Sequence, residues 1–147
     1  MADWQEPVFD RTQADVDYAK TQLKLRNNTQ ELKGCVNITD ILRIENNTRY
    51  LADRLCDLYY FNNITTLDSW VISNIPQTKQ INRIINNVAV LRDKYYTPVG
   101  ATNLPATLLH YEQINAIEQN HFLLKKHIEE MIGYYRECGT FACGEEI

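Results

Sequence analysis

The second half of this 147-residue chain holds five side chains of the kinds that bind metal ions: His110, His121, His127, Cys138 and Cys143. Zinc accepts imidazole and thiolate ligands in tetrahedral sets. The spacing here does not build such a set. His121 and His127 are six residues apart, which on a helix turns them ~120° from one another, whereas an i, i+4 pair shares a face. Cys138 and Cys143 flank Gly139, and a five-residue step is a weak signal for either chelation or a bridge. These residues leave a metal site open without calling for one, and the expectation is no cofactor. Covalent and acid–base chemistry are no better served. Five glycines fall in no phosphate-binding or dinucleotide-binding pattern. No Ser/His/Asp arrangement is signalled locally. The carboxylates fall on expected solvated faces or helix caps, where they lack the burial that tunes a general acid or base. The pattern predicts a protein that is not an enzyme.

Composition narrows the partners. A net charge of −4 and one adjacent basic pair, Lys125-Lys126, argue against a nucleic-acid backbone as ligand. No run approaches the ~18 apolar residues of a membrane span. The acidic opening MADWQEPVFDRTQADVD has no apolar core of a secretory signal, so a soluble cytoplasmic product is expected. Reduced thiols follow for Cys35, Cys56, Cys138 and Cys143. Sequons at Asn27, Asn37, Asn46 and Asn63 then reflect the abundance of Asn rather than glycosylation.

What must position any chemistry is a set of helices, and three of them are related. The phrases DILRIENNTRYL from Asp40, QINRIINNVAVL from Gln80 and QINAIEQNHFLL from Gln113 share one skeleton. The period is helical. Ile41, Ile44, Thr48, Leu51, Leu55 and Leu58 form one apolar stripe. Ile81, Ile84, Val88, Leu91 and Tyr95, widened by Ile85, form a second. Ile114, Ile117, His121, Leu124, Ile128 and Met131 form a third. A weaker stripe of Val16, Ala19, Leu23 and Leu25 precedes them, and Thr12 with Asp15 reads as a capping box. Asn37 or Thr39 suits the start of the next helix, and Pro76 suits the first turn of the third. The predicted fold is all-α: a bundle of about four helices, roughly 12–26, 39–60, 77–95 and 110–135, in a body spanning 12–136. An arm (1–11) precedes it and a tail (137–147) follows. Residues 64–75, with Trp70, Val71, Ile72 and Ile75, are expected to be irregular. The connections are too long for up-down hairpins, so some run across or along the bundle.

Two positions recur outside the stripes. Asn47, Asn87 and Asn120 share an address at the stripe's border. A mediocre helix former used three times at one place suits a side-chain hydrogen bond to backbone, tying down a connection, although inheritance by duplication explains it equally well. Tyr50, Val90 and Leu123 share an outer address, with Phe122 beside the last. Apolar residues there, and Trp4, Val8 and Phe9 in the arm, are candidate protein-interface residues; a second packed layer of the bundle is the other explanation.

The ordered motifs resemble structural proteins from the tail regions of phages and prophages of Clostridia-like Firmicutes. The likeness is carried by Asp10-Arg11-Thr12, Lys33-Gly34, Arg43-Ile44-Glu45-Asn46-Asn47, Trp70, Ile75-Pro76, Asn87-Val88, Leu91-Arg92, and Tyr111-Glu112 with Asn115, Ile117 and Glu118, across about residues 7–128. Ile41-Leu42 and His110 depart from the usual residues. The resemblance implies a non-enzymatic virion component of the tail or baseplate, assembled in the bacterial host cytoplasm, with itself and other virion proteins as partners. It transfers no catalytic residue. The alternative is a cytoplasmic helical adaptor or regulatory module that binds one protein partner.

Overall fold

A computed structural model describes residues 2–26, 31–67, 69–70 and 77–138, the side chains through 134. Four α-helices and no strand occur among the described residues: α1 Gln13–Lys24, α2 Ile38–Asp57, α3 Thr78–Lys94 and α4 Tyr111–Cys138. Each begins with the same device. A polar side chain at the third helical position reaches back to free backbone N–H groups that precede the helix: Asp15 to Thr12 (2.8 Å), Asp40 to Asn37 (3.0 Å), Gln80 to Gln77 (2.9 Å) and Gln113 to His110 (3.0 Å). In α2, α3 and α4 that residue is the first of the repeated phrase. The duplicated unit therefore carries its own start signal.

Core packing fixes the helix directions. The early repeat positions of all three sister helices, Ile41, Ile44, Ile84, Val88, Ile114 and Ile117, meet with Trp70 in one buried cluster. The later positions, Leu51, Ala52, Leu55, Leu91, Leu124 and Ile128, meet in a second. Like positions lie level with like, so α2, α3 and α4 run parallel around a pseudo-three-fold axis. Parallel neighbours cannot be joined by tight turns. The chain must return the full length of the bundle between them, which is why the connections 58–77 and 95–110 are long.

α1 has no counterpart in the other two units and buries only Ala19. Leu23 and Leu25, expected on its apolar side, are exposed, because a helix appended to the outside has no second face to cover. It is held by a close approach at Gly34, where an added Cβ would stand 2.1 Å from the Asp15 carbonyl oxygen. Asn37, not Thr39, caps α2. That helix ends earlier than expected, at Asp57. Tyr59 adopts a left-handed φ of 67°, and Tyr60 N–H donates back to Leu55 O at 2.8 Å, closing a Schellman turn. α3 starts at Thr78 with Gln77 as its cap. α4 runs to Cys138, past the helix end expected near 135. Pro76, Val71, Ile72, Ile75, Asn27 and the tail beyond Cys138 lie outside the described residues.

Candidate functional site

The polar centre of the molecule lies where the N-terminal arm meets the starts of α2 and α4. Arg11 is buried there. Its Nη2 is 2.8 Å from Asp40 Oδ1 and 3.2 Å from Glu118 Oε1, and its Nη1 donates to the Val8 carbonyl. Arg43 spans the same carboxylates, with Nε 2.9 Å from Glu118 Oε2 and Nη2 2.6 Å from Asp40 Oδ1. Val8 N–H also donates to Glu118. Asn115 pairs with the Arg11 backbone, donating to its carbonyl at 2.9 Å and accepting from its N–H at 3.3 Å. Two guanidinium groups against two carboxylates make a neutral set, in which Arg11 Nε is left without a hydrogen-bond partner. Burial pushes the Asp40 carboxyl up, but the Asn37 N–H, Arg43 and Arg11 outweigh it and hold it below its ordinary range. A carboxylate fixed as an anion and shared between two arginines is poorly placed to carry a proton at neutral pH.

A second buried pair, Glu45 with Arg83, links α2 to α3 and repeats the geometry that joins Glu118 to Arg43. In both, the arginine at the fourth repeat position of one helix meets the glutamate at the sixth position of its neighbour. The corresponding third pair of positions holds Ala116 and Ile85, which cannot ionise. Glu45 and Glu118 were expected on solvated faces; both are buried. Their burial was visible in the spacing. Each lies four residues after the first Ile of its repeat, inside the apolar arc, where Ile85 shows that a hydrophobic residue fits.

The three asparagines do one job in three places. Asn47 donates to Gln5 O at 2.7 Å and accepts from Gln5 N–H at 3.0 Å. Asn87 donates to Thr65 O at 2.8 Å. Asn120 donates to Thr102 O at 3.1 Å and accepts from Arg92 Nη1 at 3.2 Å. For Asn87 and Asn120 the partner lies in the connection that leads into the asparagine's own helix; for Asn47 it is the N-terminal arm, which α1 separates from α2. The arm is thus the first of three segments clasped by the asparagine address, and it docks on its own bundle. The candidate interface residues are drawn into this second layer. The rings of Trp4 and Tyr50 lie 5.4 Å apart, with Lys125 Nζ 5.3 Å from the Trp4 ring. Phe9 and Phe122 pair at 5.3 Å. Val8, Val90 and Leu123 are half-buried, which leaves Phe9 (37% exposed) and Phe122 (39%) as the more open members of the set.

The histidines are dispersed along α4. His110 is exposed at its start. His127 Nδ1 lies 2.6 Å from the Tyr95 hydroxyl. His121 is fully buried, with Nε2 2.9 Å from Thr48 Oγ1. Because the Thr48 hydroxyl donates to Ile44 O at 2.8 Å, its oxygen accepts from His121, and the ring carries its proton on Nε2. Burial, and then the charge of Arg43, push the His121 pKa down to about 3. Among the described residues no group of three His, Cys, Asp or Glu side chains converges to hold a metal ion. The Cys138 side chain and Cys143 lie outside them.

Fold and site together define a parallel three-helix bundle with internal pseudo-three-fold symmetry, locked by buried ion pairs and amide-to-backbone clasps. No protein family, curated protein or solved structure matches this chain.

Proposed function

We propose that this chain is a non-enzymatic structural protein of a bacteriophage virion, acting in the tail or baseplate region through protein–protein assembly. What supports the reading is where the family-like motifs fall. Arg11, Arg43, Asn115 and Glu118 belong to the buried polar lock. Gly34 meets α1, Trp70 enters the upper core, and Asn47, Asn87 and Arg92 clasp the extended segments. Every one of these residues is used to hold a shape. Arg11 and Gly34 also border a surface cavity with Lys20, Cys35 and His110, but the Arg11 guanidinium is paired with Asp40 and Glu118 in the buried lock. A rigid, shape-holding module suits a particle in which one surface is used many times.

The test is to purify particles from the host that carries the gene and to ask whether the chain is in them, by mass spectrometry of banded virions and by antibody labelling in electron micrographs. Label on tails or baseplates is the expected outcome. Particles that lack the chain, while the free protein accumulates in the cell, would overturn the reading.

A further inference from the structure

Because α2, α3 and α4 are parallel, their C-terminal ends emerge on one face of the molecule, and each carries a Tyr-Tyr pair: Tyr59-Tyr60, Tyr95-Tyr96 and Tyr134-Tyr135. Tyr60 and Tyr95 pack edge to face at 5.0 Å and close the lower core cluster. His127 continues the row, 5.5 Å from Tyr95 and 5.0 Å from Tyr96. Tyr134 follows His127 by seven residues, on the same face of α4. Tyr59 and Phe61, the neighbours of Tyr60 in the chain, pair at 6.3 Å. The row Tyr60, Tyr95, His127 and Tyr96 starts in the core, and Tyr59, Phe61 and Tyr134 lie toward the same end of the bundle.

The outer aromatics are strongly exposed: Tyr59 83%, Phe61 69%, Tyr134 69% and Tyr96 46%. At about 200 Å² per large aromatic side chain, these four leave on the order of 500 Å² uncovered. That is at the upper end of what a monomer exposes, and more than half of the ~800 Å² each partner contributes to a stable dimer. Tyr59 adds a second peculiarity. It holds the left-handed position of the Schellman turn, which normally takes glycine, so an exposed ring is kept there against a backbone cost of about 1 kcal/mol.

We infer that this end of the bundle is a self-docking face, and that two copies of the chain join end to end across it. α4 runs fourteen residues past Leu124, whereas α2 stops six past Leu51 and α3 three past Leu91. The C-terminal part of α4 therefore projects beyond its neighbours. In an antiparallel, two-fold pairing each projecting α4 lies along the other copy's rim at Tyr59 and Phe61. Exposed charges of both signs, Asp57, Lys94 and Glu130, lie near the same helix ends, so a two-fold pairing can set unlike charges opposite one another. The face is distinct from the arm residues Trp4 and Phe9, which are occupied within the molecule. This contact rests on the reading of the chain as an assembly component.

Sedimentation velocity on the full chain tests it. The wild type should be a dimer. The variant Tyr59→Ser/Phe61→Ser/Tyr134→Ser should dissociate at least tenfold more readily while keeping its circular dichroism, since none of the three side chains belongs to either core cluster. Tyr18→Ser, an exposed aromatic on α1, should change nothing. A wild-type monomer at concentrations up to about 100 µM, beyond the micromolar constants expected of an interface this size, would overturn the inference. So would a dimer that the triple variant leaves intact. A dimer in solution with no copy in purified particles would uphold the contact and sink the virion assignment.

Discussion

His121 stands where the sister helices carry Thr48 and Val88, and it is a fully buried residue whose charge state depends on folding. In the folded chain its pKa lies near 3, against about 6.5 when unfolded. The unfolded chain thus binds a proton below pH 6.5 that the folded chain refuses. The stability tied to the neutral ring is complete above that pH and drains away as pH falls toward 3. Between pH 6.5 and 4.5 about 2–3 kcal/mol should be lost, at 1.36 kcal/mol per pH unit for one proton. Urea denaturation at pH 7 and pH 4.5 measures this, and His121→Val, copying the residue at Val88, should flatten the dependence. The window is separable from that of Asp40, whose lowered pKa places its loss of stability below about pH 4. An Arg11→Ala change acts at the same scale and differently. It leaves Asp40 and Glu118 sharing Arg43 alone, and one uncompensated buried charge costs about 3–5 kcal/mol. The variant should unfold at correspondingly lower urea at neutral pH.

Each element is held by a contact outside its own periodicity. Gly34 sits against the backbone of α1, and a Cβ there has no room at 2.1 Å from Asp15 O. Gly34→Ala should therefore lift α1 away. Because α1 contributes only Ala19 to the buried set, the three-helix core should survive. The expected signature is a loss of helical circular dichroism with rapid amide exchange confined to Gln13–Lys24; exchange spread evenly over all helices would contradict it. How much of this was legible follows from the physics of each signal. Helices α2, α3 and α4 were readable because a 3.6-residue apolar period is written in every turn. So was the shared asparagine address, since a polar residue repeated at a stripe's border stands out. The parallel direction was not, because period carries no sign; only the excess length of 58–77 and 95–110 hinted at it. The polar lock was missed because Arg11 lies in an arm with no period, and its partners Asp40 and Glu118 are brought to it by tertiary packing.

At the scale of the whole molecule the chain reads as three units of extended segment plus helix, with α1 inserted after the first segment. Two of the segments are fixed at both ends by helices of the bundle. Among the described residues the arm is joined to a helix at one end, yet it contributes the clasp to Asn47, the Trp4–Tyr50 contact and Arg11 of the polar lock. Terminal residues of most domains are dispensable. Here the symmetry predicts otherwise, since removing residues 1–11 takes out one third of the outer layer and strands Asp40 and Glu118. The truncated chain should be sharply destabilised, by several kcal/mol from the uncompensated charge alone, and its thermal transition should broaden or vanish. A peptide covering residues 2–12 supplies the same groups in trans, so adding it should restore a cooperative transition, and the same peptide with Arg11→Ala should restore much less. Thermal melts followed by circular dichroism at increasing peptide concentration distinguish the cases. A truncated chain as stable as the full one would mean that the arm is decoration on a two-layer bundle rather than its third outer segment.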